Sequence, residues 1–177
     1  MKTQLISKTT VKLSKKEIVE ICKLKKQQWK FSIKSQLNHF YKNTKNSDIH
    51  NLFFLNFELI GYTSLKKRNY YVNETKKKYL LFDTLIVKKK FRKTKKSSLM
   101  MKFNNKVIKK MKLMSFLVCK KDLINFYSKF GWIKIKKKNF ETSGFSASPN
   151  GMLYNCGKMK LDRIKLNFLL NDFQKNI

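Results

Sequence analysis

The sequence predicts an α/β fold in which helices flank a mixed β-sheet. Two segments with helical periodicity come first, and a run of strand-like segments follows them. Strands and helices then alternate in the second half of the chain, which indicates crossover helices. The chain has 177 residues, of which 42% are hydrophobic. This length predicts one domain over residues 1–177.

The first two elements are predicted to be helices. Ser14 and Glu17 have the spacing of a capping box, which begins a helix in EIVEICKLKKQQW (17–29). The segment SIKSQLNHFYKN (32–43) predicts the second helix. Its expected apolar side consists of Ile33, Leu37, Phe40 and Tyr41.

Strand-like segments follow. NLFFLNFELIGYTSLKK (51–67) predicts a hairpin with a tight turn near Glu58–Gly61. KYLLFDTLIV (78–87) is a nearly continuous apolar run, which predicts a central strand buried on both faces. Three later strands are predicted in MSFLVC (114–119), IKIKK (133–137) and GMLYNC (151–156).

Three further helices are predicted. KDLINFYSKFGW (121–132) is expected to end at Gly131, a residue that favours a left-handed C-cap. The tail LDRIKLNFLLNDFQ (161–174) predicts a C-terminal helix at about 160–175. SSLMMKFNNKVIKKM (97–111) predicts an amphipathic helix. Its expected core face is Leu99, Met100, Phe103, Val107 and Ile108. The predicted order is α-α-β-β-β-α-β-α-β-β plus this C-terminal helix.

The charge is strongly positive, with 42 basic and 10 acidic residues and a formal net charge of +32. This balance favours anionic partners, so a basic nucleic-acid-binding or ribosome-associated protein is one candidate. However, only Arg68, Arg92 and Arg163 are arginine, the residue that recognises phosphates and bases best. Lys, Asn, Ile and Phe are all abundant, so an AT-rich coding sequence is the alternative explanation of the charge.

The cysteines and apolar runs predict a cytoplasmic protein without a metal or a membrane span. The three cysteines are far apart and have no metal-ligand spacing, which indicates a reducing compartment. The N-terminal segment is too polar for a signal peptide. The longest apolar run, residues 113–119, is too short to cross a bilayer.

The segment VKKKFRKTKKSSLMM (87–101) has the layout of a phosphate-binding loop. A strand ends at Val87, a basic loop runs through Lys96, and a helix begins at about Ser97. The first N–H groups of a helix lack partners within the helix and attract anions. The alternative is a basic loop that is simply solvated.

This loop resembles a motif of the GCN5-related N-acetyltransferases, the GNAT family. Val87, Arg92, Lys95 and Ser97 stand at the spacing V-x4-R/Q-x-x-G-x-G/A. Lys95 and Ser97 replace the two small positions of that motif. A member of the fold with weakened catalysis is therefore a further candidate.

Two other segments resemble the family. INFYSKFGW (124–132) is similar to its second signature, and LIGYTSL (59–65) is similar to its front hairpin. Lys120 stands where many members have asparagine. The resemblance covers about residues 14–156 and implies a GNAT-like domain with a mixed, mostly antiparallel sheet.

The resemblance implies an acetyl-CoA-dependent N-acetyltransferase that moves an acetyl group directly to a primary amine of a small molecule. Backbone groups near Leu85–Val87 would hold the pantetheine arm as an added strand, and the loop would bind the pyrophosphate. The implied cofactor-binding residues are Leu85, Ile86, Val87, Arg92, Lys93, Thr94, Lys95, Lys96, Ser97 and Ser98.

Catalytic candidates follow from the same resemblance. Tyr127 matches the family's tyrosine general acid, and its alternative role is to pack the helix on the sheet. Asp83 interrupts the apolar central strand and is the candidate base, with a structural hydrogen bond as its alternative. Glu58 and His50 are weaker candidates for the base.

The acceptor pocket is expected between the first two helices and the last strands. Trp29, Phe31 and Phe145 are placed to line it, the last within TSGFSASPNG (142–151). That segment could equally be a plain hairpin connection. The C-terminal helix could pack on its own domain or on a second copy in a homodimer.

Overall fold

The computed structural model describes residues 2–143, 150–157, 159 and 165–170. The described residues form nine β-strands and four α-helices. The strands are β1 Thr3–Thr9, β2 Ile49–Leu55, β3 Glu58–Val72, β4 Thr75–Val87, β5 Ser115–Cys119, β6 Ile133–Lys134, β7 Phe140–Ser143, β8 Asn150–Tyr154 and β9 Leu166–Leu169. The helices are α1 Lys15–Lys26, α2 Ile33–Asn43, α3 Lys95–Lys110 and α4 Ile124–Ser128.

The residues cluster in two compact units. The first contains Met1–Lys66 and Phe82–Val107, and the second contains Lys67–Leu81 and Ile108–Ile177. The long strands β3 and β4 each contribute residues to both units. One domain over residues 1–177 stays a prediction.

The sheet of the first unit is antiparallel from β1 through β3. Its β2–β3 turn lies at Asn56 and Phe57, whose φ angles are 47° and 65°. The predicted turn near Glu58–Gly61 is therefore wrong. Asparagine tolerates the left-handed region that tight hairpin turns require. Gly61 instead lies inside β3, where a Cβ atom would come within 3.2 Å of the Cβ atom of Phe53.

The helices α1 and α2 begin as predicted. Ser14 and Glu17 form the complete capping box of α1, and the Ser32 side chain accepts a hydrogen bond from Ser35 N–H at the start of α2. Phe40 is buried in α2, but Tyr41 is 60% exposed, so its predicted core position is wrong. The buried line of α2 follows the i, i+4 pair Gln36 and Phe40.

Helix α3 starts two residues before its predicted start, at Lys95. Met100 is fully buried as predicted, whereas Leu99 is 41% exposed and does not belong to the core face. Asn104 is buried instead, because its Oδ1 accepts hydrogen bonds from Asn51 Nδ2 at 2.9 Å and Thr63 Oγ1 at 2.8 Å. A buried asparagine shifts the inward face in a way that apolar periodicity does not reveal.

The second unit contains the remaining strands. Strand β4 runs parallel to β5, with Leu80 opposite Ser115 and Leu81 opposite Phe116. Strand β8 is antiparallel to β5 and to the short β6. These are the predicted late strands, but β6 contains only Ile133–Lys134 of the predicted segment 133–137, and a 3-10 helix begins at Lys137. Strands β1 and β7 were not predicted; β7 runs parallel to β9.

The C-terminal tail differs from its prediction. Residues 166–169 form the strand β9, which pairs with β3, so a helix over residues 161–174 is wrong there. Leu166 and Phe168 of β9 and Leu170 just after it are at most 2% exposed, and they alternate with more exposed residues. This period of two is typical of a strand rather than a helix. Residues 161–164 and 171–174 of the predicted helix lie outside the described residues.

Helix α4 is shorter than predicted, since residues 121–123 form a separate 3-10 turn before it. The helix ends at Ser128 with Lys129 as its C-cap, so the predicted end at Gly131 is wrong, although Gly131 has the expected left-handed conformation with φ +79°. Within the described ranges, no helix has the length and apolar character that a bilayer span requires.

Candidate active site

The loop after β4 is tied down by Arg92. Its Nε donates a hydrogen bond to Val87 O at 3.0 Å, and its Nη2 donates one to Gln28 Oε1 at 3.0 Å. The guanidinium therefore joins the end of β4 to the residues after α1. The Arg92 guanidinium is thus hydrogen-bonded within the protein, and these bonds fix the path of the loop.

The loop then presents backbone donors at the start of α3. Thr94 Oγ1 donates to Phe91 O at 2.7 Å and accepts from Lys96 N–H at 3.2 Å, as an N-cap side chain does. Within the described part of the chain, the N–H groups of Lys93, Thr94 and Lys95 have no acceptor. Three consecutive free donors at a helix start form a suitable place for an anion.

The replaced motif positions do not strain this loop. Lys95 and Ser97 lie in the first turn of α3, and neither has a positive φ. The left-handed residue of the loop is Lys93, with φ 59°. The backbone path is therefore compatible with lysine at 95 and serine at 97, and the local strain lies two residues earlier.

Replacing Lys93 with glycine is expected to leave the free energy of unfolding unchanged or raise it by up to about 1 kcal/mol, because glycine adopts positive φ without the steric cost. Lys95→Gly is the matched control and should lower it by up to about 1 kcal/mol, since Lys95 is helical. Urea denaturation of both variants measures the difference. Equal losses in the two would contradict the assigned backbone conformations.

A cleft open to solvent lies in the first unit, against helices α1 and α2 and strands β2 to β4. The space outside the protein atoms at this cleft is about 250 Å³, and this volume includes open solvent. Its wall is mostly polar, although strands β2 to β4 are otherwise rich in apolar residues. The lining residues are Lys25, His39, Phe40, Asn43, Thr44, His50, Tyr62, Ser64, Lys66 and Asp83.

The structure places Asp83, the candidate base, on this cleft. Its carboxylate lies 3.1 Å from Lys66 Nζ and accepts a hydrogen bond from Thr84 Oγ1 at 3.1 Å. Burial disfavours the charged carboxylate, but the ammonium groups of Lys66 and Lys25 outweigh it and hold the pKa of Asp83 below its ordinary value. Asp83 is therefore ionised at neutral pH. It suits holding an ammonium group better than removing its proton.

His50 is a different kind of group. Burial, assisted by the charges of Lys66 and Lys25, lowers the pKa of His50 to about 4. Its Nδ1 lies 2.8 Å from Tyr62 Oη, and its Nε2 lies 2.9 Å from Thr10 Oγ1. Thr10 already donates its hydroxyl proton to Lys45 O at 2.6 Å. His50 Nε2–H must then be the donor to Thr10.

This assignment fixes the tautomer of the neutral imidazole. His50 Nδ1 accepts from the Tyr62 hydroxyl, whose pKa is raised by burial, so neither ring nitrogen has a free lone pair for a substrate proton. The other weak candidate, Glu58, pairs with Lys88 and Lys90 at the β2–β3 hairpin and does not line the cleft.

Tyr127 lies on α4 in the second unit and is 8% exposed. Its ring packs against those of Phe126 and Trp132 at centroid distances of 5.2 and 6.2 Å. Burial raises the pKa of Tyr127, and the charge of a nearby Cys119 thiolate would raise it further. The phenol therefore keeps its proton at neutral pH, as a general acid must. Its catalytic role stays a prediction.

The remaining predicted residues are placed as follows. Trp29 and Phe31 are 40% and 62% exposed and do not line the cleft, although the Trp29 ring centroid lies 5.9 Å from Lys25 Nζ. Phe145 lies outside the described residues. Ile86 and Val87 have buried side chains, so ligand contacts there would fall to the main chain.

Sequence reasoning missed most of the cleft. Tyr62, Ser64 and Lys66 occupy alternate positions of β3 and all line it. Polar residues at a period of two within an apolar strand were the signal that could have found them. Lys25 gave no such signal, since its helix contains several lysines.

The sequence matches no protein-family model and no curated protein. Solved structures do match the fold. Escherichia coli ElaA has 18% identity and a TM-score of 0.63, over 86% of this chain and 99% of that one. An acyl-CoA N-acyltransferase from Pseudomonas aeruginosa has 12% identity and a TM-score of 0.65, over 86% and 99%.

A third structure is the GNAT-family N-acetyltransferase YhbS from Escherichia coli in complex with CoA. It has 10% identity and a TM-score of 0.66, over 94% of this chain and 89% of that one. The identities are low, so the likeness concerns the fold. The described topology and these structures together show that this chain has the fold of the GNAT N-acetyltransferases.

Proposed function

We propose that the protein is an acetyl-CoA-dependent N-acetyltransferase that transfers an acetyl group directly to a primary amine of a small molecule. The observation that carries this proposal is the loop of Arg92 to Lys95. This loop has the position of the GNAT motif, and the chain has the GNAT fold. The loop also leaves three consecutive N–H groups free at the start of α3. A diphosphate is an anion that such donors bind.

The end of β4 supports the proposal for the pantetheine arm. Lys88 N–H donates to Ile60 O at 2.8 Å, so the end of β4 is held by β3 along one edge. Among the described residues, the register of β4 with β5 ends at Leu81. The arm would pair with the main chain of Leu85–Val87 along the other edge, as an added strand does.

When bound, acetyl-CoA supplies a thioester: the amine nitrogen bonds to its carbonyl carbon, and the carbon–sulfur bond breaks. The phenol of Tyr127 donates its proton to the departing sulfur. Asp83 holds the ammonium form of the acceptor, and water takes the proton that this group loses before it attacks, since the low pKa of Asp83 keeps the carboxylate from taking it. The second proton, which the nitrogen loses after the attack, replaces the proton that Tyr127 gives to the sulfur. In this proposal Lys66 keeps Asp83 charged and in place.

Binding of acetyl-CoA is tested by thermal unfolding. We expect a saturable rise in the unfolding temperature that persists between about 50 and about 200 mM salt, because the free N–H groups contribute beside the lysines. A DNA oligomer is the comparison probe. Stabilisation by DNA that disappears at the higher salt, with no effect of acetyl-CoA, would support the nucleic-acid alternative that the charge of +32 suggests.

Binding of acetyl-CoA without turnover of any amine would support the alternative of a catalytically weakened member.

The cytoplasm is the proposed location. Cys22, Cys119 and Cys156 are free cysteines, which persist in a reducing compartment.

A further inference from the structure

We propose that the acceptor amine carries an anionic group, a carboxylate or a phosphate, and that Lys25 binds this group in the cleft. The proposal rests on the proposed function only in taking the cleft's ligand as the acceptor of the acetyl group. The anion site itself follows from the burial and charge of the lining residues.

Lys25 is an unusual lysine for a chain in which nearly all lysines are solvated. It is only 9% exposed, and it lines the cleft from α1. No carboxylate of the described residues forms a salt bridge with it; its nearby partner is the Trp29 ring, 5.9 Å from Nζ. Burying an ammonium group without an anion costs free energy, which a bound anion would recover.

The other charges of the cleft neutralise Lys25 only in part, because Asp83, which attracts its ammonium group, is shared with Lys66. Asp83 is the one carboxylate among the residues that line it, and Lys66 Nζ already lies 3.1 Å from that carboxylate. His50 is neutral, with its ring nitrogens bonded to Tyr62 and Thr10. The cleft thus contains two ammonium groups for one carboxylate, and this excess of positive charge attracts an anionic group of the ligand.

The same cleft contains a carboxylate for the ligand's ammonium group. Asp83 and Lys25 both line it, one from β4 and one from α1. A small molecule with both an amine and an anion would match these two charges. A plain amine would satisfy Asp83 and leave Lys25 buried without a counter-ion. We therefore infer that amino acids or amino phosphates are preferred over amines without an acidic group.

Calorimetric titration without acetyl-CoA tests this on two matched pairs. Ornithine is compared with putrescine, which lacks the carboxylate, and glucosamine 6-phosphate is compared with glucosamine. We expect the anionic member of at least one pair to bind about 10-fold or more tightly than its partner, as for a hydrogen bond between charged groups. The pair that shows the preference identifies carboxylate or phosphate.

Lys25→Met should abolish the preference, and Lys25→Arg should retain most of it. Lys26→Met on the same helix is the control, because Lys26 is exposed and should leave the preference unchanged. Circular dichroism establishes that each variant is folded. Should Lys25→Met fail to fold, Lys25→Arg and Lys25→Gln carry the comparison of a charged with a neutral side chain.

Equal affinities within both pairs would overturn the anion site, as would an unchanged preference in the folded neutral variant or no binding of any of the four probes. Acetyl transfer is measured separately. An anion preference without transfer would defeat the proposed function but not the site, whereas transfer without a preference would do the reverse.

Discussion

Replacing Tyr127 with phenylalanine is expected to lower the turnover number for acetyl transfer about 100-fold or more, the size of a lost general acid. The affinity for acetyl-CoA should barely change, because phenylalanine keeps the ring contacts with Phe126 and Trp132. Burial raises the pKa of Tyr127, so the wild-type phenol carries its proton over the whole neutral range. The measurement is steady-state kinetics beside acetyl-CoA titration.

Tyr154→Phe is the matched control for this variant. It removes a phenol hydroxyl from the same unit and keeps the stacking of ring 154 on Trp132, at a centroid distance of 5.4 Å. We expect near wild-type turnover for Tyr154→Phe. If Tyr127→Phe also turned over at the wild-type rate, Tyr127 would have no part in the chemistry and would be a packing residue of α4.

Phe168→Ala is expected to lower the free energy of unfolding by about 3–5 kcal/mol, the usual cost of deleting a buried aromatic ring. Phe168 is fully buried, and it stacks on Phe116 with centroids 3.9 Å apart and rings only 4° from parallel. Tyr70 and Tyr79 lie within 5.5 and 5.0 Å of it. Urea denaturation measures the loss.

The neighbouring substitution Asn167→Ala provides the control. Asn167 is exposed on the other face of β9, so its replacement should change the free energy of unfolding by no more than about 0.5 kcal/mol. A large difference between adjacent positions is what a strand predicts. Comparable losses at 167 and 168 would contradict both the strand and its pairing with β3.

The elements predicted best are those with a local cause. The capping box of Ser14 and Glu17 needs only four consecutive residues, and Gly131 needs only its own freedom to adopt positive φ. The strand at 78–87 was also predicted correctly, because a nearly continuous apolar run of this length is typical of a buried strand. In each case the information lies within a few residues of the structure that it determines.

The elements predicted worst depend on distant partners. Residues 166–169 became a strand because β3 and β7 supply the pairing and the Phe116 ring supplies the contact for Phe168. On α3, Leu99 is exposed, whereas Asn104 is buried and accepts hydrogen bonds from Asn51 and Thr63. The strand pairing of residues 166–169 and the hydrogen bonds of Asn104 cannot be seen in the apolar periodicity of their own segments.

By itself, the sequence determined the order of most helices and strands, the capping box of α1 and the position of the basic loop between Val87 and Lys95. These depend on neighbouring residues, whose spacing can be read directly. Only the tertiary structure decided that Lys93 takes the left-handed conformation, and that Lys25, Lys66 and Asp83 line one cleft. Lys25 is one of thirty-nine lysines, and its burial makes it a candidate binding residue. That burial depends on segments that lie far apart in the chain.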